Sequence, residues 1–134
     1  MESSKRFYIN NQSSINTTLL NIQKSLESSN YQTVQISKIT TVASELAYNI
    51  IKYAQNGRLY FEFIEKAGNE GVEITSEDFG PGIEDTKKAL LDNYSSSGTL
   101  GLGLPGVKRM SDIFTLDSSP GKGTKVTSII WKNK

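Results

Sequence analysis

The feature that most constrains the fold of this chain is a long stripe of apolar residues in its first half. Ile39, Val42, Ala43, Leu46, Ile50 and Tyr53 recur at helical spacing and predict a helix from about Thr33 to Ala54. One whole face of that helix must be buried. Asn56-Gly57 then marks a turn, and the period changes from 3.6 to 2. RLYFEFIEK (58–66) alternates like a half-buried strand, and VEITSED (72–78) does so again after the turn AGNEG (67–71). Ahead of the long helix, KRFYIN (5–10) predicts a first strand, and Ile15, Leu19, Ile22 and Leu26 an amphipathic helix over about 13–29. After FGPG (79–82), which cannot continue a strand, a short helix is expected over about 83–91 and a polar, glycine-rich loop over 92–103. Leu104-Pro105 opens a helix ending near Met110, with proline in the first turn, where a missing N–H costs nothing. DIFTLDSS (112–119) and KVTSIIW (125–131) close the pattern as strands joined by PGKGT (120–124).

Composition narrows the chemistry. The 134 residues contain no cysteine and no histidine, which removes disulfides, thiolate metal sites, histidine bases and phosphohistidine. Fifteen basic residues against fourteen acidic ones leave a net charge of +1, a balance that gives no electrostatic case for nucleic acid, which usually demands a basic face. No apolar run approaches the roughly twenty residues of a membrane span, and MESSKRFYIN lacks the apolar core of a signal peptide. The expectation is a single cytoplasmic domain over 1–134 that binds neither nucleic acid nor membrane.

Four segments carry candidate chemistry, and each has an ordinary reading when taken alone. In SELAYNIIKYA (44–54), Glu45, Asn49 and Lys52 share a stripe at the edge of the apolar face. That is either a solvated flank or a carboxylate able to accept a proton beside an amide oxygen suited to Mg²⁺. In EDFGPGI (77–83), Asp78 either ends a strand at a turn or accepts a hydrogen bond from an exocyclic amine, with glycines letting the backbone approach a flat base. In SSSGTLGLGLPG (95–106), Gly98, Gly101 and Gly103 precede a helix whose free amides attract phosphate, unless the stretch is only a flexible connector. It is neither a dinucleotide fingerprint nor a GK[ST] phosphate loop. In GKGT (121–124), the turn is explanation enough, although the Thr124 hydroxyl is free to face a ligand.

In this order and at these spacings the four segments resemble the N, G1, G2 and final GT motifs of the GHKL superfamily of ATP-binding proteins. The resemblance covers about Ile36 to Trp131, and within the superfamily it is to the small serine/threonine kinases of bacterial anti-sigma and stressosome signalling. It implies an α/β two-layer sandwich, the Bergerat fold: a mixed, mostly antiparallel sheet with helices on one face. The pattern of elements is compatible with it. It also implies ATP or ADP and Mg²⁺ as cofactors. Glu45 would be the base for the acceptor hydroxyl and Asn49 the Mg²⁺ ligand, while Asp78 would bind the adenine amine, with Gly80, Gly82, Ile83 and Thr124 around the base. Gly98, Thr99, Leu100, Gly101, Leu102 and Gly103 would enclose the phosphates. Implied partners are a STAS-domain scaffold as phosphate acceptor and a PP2C-type phosphatase to be activated. A sigma factor and a second copy of the chain stay open as partners. A nucleotide-dependent binding module without catalysis is the rival reading; an ATPase or a detached histidine-kinase domain is disfavoured by the short loop and by the chain's length.

Overall fold

The computed structural model describes residues 4–90 and 103–132. Five strands form one sheet in the order β1 (Ser4–Ile9), β2 (Gly57–Lys66), β3 (Asn69–Asp78), β5 (Thr124–Trp131), β4 (Ile113–Ser118). All four ladders are antiparallel, which carries the expected arrangement one step further. Helices α1 (Gln12–Ser28), α2 (Thr33–Ala54) and α4 (Gly103–Met110) accompany the sheet, with a single turn, α3 (Thr86–Ala89), beside its end.

Strand alternation explains the layering. Phe7, Leu59, Phe61, Ile74, Val126 and Ile130 lie on one face of the sheet, meeting in register as Phe7↔Leu59, Phe61↔Ile74 and Val72↔Ile130. Against them α2 sets Ile39, Val42, Ala43, Leu46 and Ile50, all buried. Ile15, Ile22 and Leu26 of α1 complete the core from the side of β1. The opposite face carries Arg58, Tyr60, Glu77 and Lys125, polar groups that water can solvate.

Element boundaries depart from expectation where backbone geometry, rather than side-chain pattern, decides. α1 begins at Gln12 because Asn11 caps it: its side chain accepts from Ser14 N while Ser14 Oγ accepts from Asn11 N, a reciprocal box. α2 ends at Ala54 and is capped by Gln55, which takes a positive φ of 72°, so the reversal precedes the Asn-Gly pair. The β2–β3 turn is not five residues long. The strands pair to Lys66↔Asn69, leaving only Ala67 and Gly68, both at positive φ (52° and 83°), as tight hairpin turns require. The helix expected over 83–91 shrinks to Thr86–Ala89, because residues 81–83 are held against the β4–β5 turn; position 91 lies outside the described residues.

The turn yields a stability prediction. Alanine is a poor residue for the left-handed region, and asparagine tolerates it better. Ala67→Asn is expected to raise stability by about 1 kcal/mol, read from the urea midpoint at unchanged m-value.

Candidate active site at the end of the sheet

The site is built on the last rows of the sheet. Asp78 ends β3, and its register partners are Gly57 on β2 and Thr124 on β5; Thr124 in turn faces Ser118 on β4. One row back lie Ser76 and Val126, also paired. Period-2 alternation puts Asp78, Ser76, Thr124 and Val126 on the helix-bearing face. There they line a cavity of about 370 Å³, within the range of small-molecule sites. One wall is α2, through Leu46, Asn49, Ile50 and Tyr53; the other is Gly82–Asp85 and Ala89, with Gly103 and Leu104 of α4 closing one end.

The segment after Asp78 is clamped to the β4–β5 turn. Asp78 Oδ1 accepts from Gly80 N at 2.9 Å. Gly121 N donates to Pro81 O at 2.7 Å, and Ile83 N donates to Ser118 Oγ at 2.8 Å. Two glycines make this approach feasible. Gly82 (φ 81°) and Gly123 (φ 75°) both need the left-handed region, and a Cβ on either would collide with a backbone carbonyl, of Ser119 and of Asp78 respectively. Side chains are therefore excluded at both positions by conformation and by space.

The polar groups of the cavity fall into two classes. Asp78 is 9% exposed, and burial raises its carboxyl above the ordinary value of 3.8, with backbone hydrogen bonds from Gly80 and Thr124 pulling it back. Asn49 and the buried Ser76 line the cavity with side chains that have no hydrogen-bond partner among the described residues. Unpartnered polar groups in a cleft with much apolar lining suit a ligand with its own donors and acceptors. Asn49 offers one neutral oxygen, and among the described residues no three acidic side chains stand close enough together to hold a metal ion by themselves. That donor set fits Mg²⁺ held chiefly by phosphates, the usual mode for this ion.

Glu45 is placed differently from its neighbours. It is 1% exposed, and its Oε1 accepts from Gly103 N, the first amide of α4, at 3.1 Å. It tethers α4 to α2 and is not part of the cavity wall. Lys52 is exposed, with its ammonium 5.0 Å from the centre of the Tyr53 ring. The cavity-facing stripe of α2 is thus 46/49/50/53, rotated from the 45/49/52 stripe read from spacing. Of the expected residues, Asn49, Asp78, Gly82, Ile83, Gly103 and Thr124 come together around the cavity. Gly80 instead packs on Ala54 of α2. Gly98, Thr99, Leu100, Gly101 and Leu102, with the loop 92–102 that contains them, lie outside the described residues.

Sequence reasoning missed Ser76 and Ser118. Ser76 precedes Asp78 by two residues, so strand alternation was the signal that it shares the same face. Ser118 meets the site through pairing with Thr124 and through the Ile83 amide, long-range contacts that no local pattern reveals.

Comparison with known proteins identifies the family and the fold. Residues 34–133 match the family described as histidine kinase-, DNA gyrase B-, and HSP90-like ATPase. The chain is 48% identical over 101 residues to serine/threonine-protein kinase RsbT of Bacillus subtilis (strain 168), covering 75% of this chain and 76% of that one. A crystal structure of the SiaB-SiaC complex from Pseudomonas aeruginosa contains a chain of the same fold, with TM-score 0.65 at 13% identity, covering 95% of this chain and 89% of that one.

The buried carboxylate gives a testable pH dependence. A folded-state pKa raised above 3.8 means that the native chain holds this proton more tightly than the unfolded one. Its contribution to stability is therefore lost as pH rises through that interval. Asp78→Asn is expected to raise the melting temperature of the ligand-free protein at pH 7, an advantage that disappears below about pH 3.8. Thermal unfolding of both proteins across that range checks it.

Proposed function

The chain belongs to the histidine kinase-, DNA gyrase B- and HSP90-like ATPase family, in its RsbT-like branch, and from that premise we propose that it is an ATP-dependent serine/threonine protein kinase of a partner-switching pathway. The observation that carries the proposal is the cavity at the sheet end, where Asp78, Asn49 and Thr124 converge on a family that binds ATP. Asp78 would accept from the exocyclic amine of adenine. Ile83, Val126 and Leu46 line the cavity with apolar surface for the ring, and Asn49 would offer its oxygen to Mg²⁺. The metal, when bound, neutralises charge on the phosphates, which suits a reaction governed by positioning and electrostatics. The acceptor is a serine or threonine hydroxyl on a STAS-domain protein, and the released kinase activates a PP2C-type phosphatase in the cytoplasm.

Glu45 takes the proton of the acceptor hydroxyl in this reading. Its bond to Gly103 N gives it a second duty: it fixes the start of α4 against α2. Glu45→Gln keeps a carbonyl oxygen for Gly103 N but loses the basicity. It is expected to bind ATP normally and to transfer phosphate more slowly, by roughly 10²–10⁴. Unimpaired transfer would remove Glu45 from the chemistry. Asp78→Asn should weaken ATP by about 1.5–3 kcal/mol in calorimetry.

That second duty also favours a second reading, a nucleotide-dependent binding module, since the tether alone is reason to retain Glu45. One experiment separates them. The protein is mixed with a STAS-domain protein and Mg·ATP, and the STAS protein is then weighed by mass spectrometry. A gain of one phosphate supports the kinase; a stable complex without phosphate supports the module.

A further inference from the structure

We infer that Ser118 is a specificity-determining residue: through the Thr124 hydroxyl it makes the base end of the cavity select a 6-amino purine over a 6-oxo purine. The inference deepens the nucleotide-site reading above and rests on it.

The argument is an account of hydrogens. Ser118 Oγ has three neighbours: Ile83 N at 2.8 Å, Gly123 O at 2.9 Å and Thr124 Oγ1 at 2.8 Å. The Ile83 amide can only donate, so Ser118 accepts there. The Gly123 carbonyl can only accept, so Ser118 donates there, and a serine hydroxyl has one proton. No proton is left for the third contact, and Thr124 must donate it. Thr124, which lines the cavity, also has a single proton, so wherever a ligand meets its hydroxyl oxygen it meets lone pairs alone.

Thr124 and Asp78 are register partners, and both line the cavity. An ionised carboxylate likewise only accepts. The end of the cavity is therefore an acceptor-only surface as far as these two side chains go. A purine amine donates directly to such a surface. A 6-oxo group brings lone pairs against lone pairs and leaves polar atoms unpaired, the situation that gives hydrogen-bonding sites their strong discrimination. Asp78 alone does not complete the device. Were Thr124 free to rotate, its proton would turn into the cavity and greet a 6-oxo group. Ser118 prevents that, because its own proton is held by Gly123 O.

The test compares ATP with ITP, which differ at the 6-position, with Mg²⁺ present, by calorimetry on the full chain. Wild type is expected to prefer ATP. Ser118→Ala should narrow the ITP/ATP ratio of dissociation constants by roughly tenfold, about the worth of one hydrogen bond, even if both nucleotides bind more weakly. Ser118→Thr, which retains the hydroxyl, should keep the wild-type ratio. If Ser118→Ala proves unfolded by circular dichroism, Ser118→Cys, which fills the space with a weak donor, decides the same point and should narrow the ratio too. Equal losses for ATP and ITP, with the ratio unchanged, would show a merely structural role and overturn the inference. Failure of wild type to bind ATP would remove the nucleotide site itself, and the inference with it.

Discussion

The structure depends on the crosslink between the end of β3 and the β4–β5 turn. A strand that ended at Asp78 without it would leave the next five residues, including two glycines and a proline, with nothing to lie against. Three hydrogen bonds fix them instead: Gly80 N to Asp78 Oδ1, Gly121 N to Pro81 O and Ile83 N to Ser118 Oγ. Each is modest alone, on the order of 1 kcal/mol. Together they hold a backbone that carries side chains into the cavity from the direction opposite α2. The cavity lies between this segment and α2, with Ser76, Asp78, Thr124 and Val126 of the sheet as its floor.

That arrangement has a cost, and the cost is visible at Asp78. A carboxylate at 9% exposure is poorly solvated, and its raised pKa is the signature. The neighbouring amides offset only part of the loss. Ser76 and Asn49 similarly face the cavity without partners among the described residues. Polar groups placed where folding alone would prefer apolar ones mark a site shaped for a ligand. Glu45 is the contrasting case, a buried carboxylate whose bond to Gly103 N serves the fold as it stands.

Much of this was legible in the sequence, for identifiable reasons. Helix α2 declared itself because six apolar residues kept one period from Ile39 to Tyr53, most of its 22 residues, and β2 and β3 because each alternates cleanly. Asp78, Gly82 and Thr124 were legible because glycines at positive φ and a strand-ending carboxylate are local features. What escaped was whatever depends on rotation or pairing. A stripe read at 100° per residue fixes neighbours on a helix but not which edge faces a cavity, so Glu45 and Lys52 were grouped with Asn49, whereas Leu46, Ile50 and Tyr53 share its wall. Ser118 belongs to the site because β4 pairs with β5 in one particular register. The tight turn at Ala67 was hidden because alanine gives no hint of a positive φ.

The central claim is that the sheet-end cavity holds Mg·ATP with its base against Asp78. Nucleotide titration followed by amide NMR tests it most directly. The account predicts that the amides of Gly80, Ile83, Gly103 and Thr124 shift and saturate together, while those of Tyr60 and Thr75, on strand residues turned to the open face, stay in place. Saturating nucleotide that leaves those four amides unmoved would contradict it.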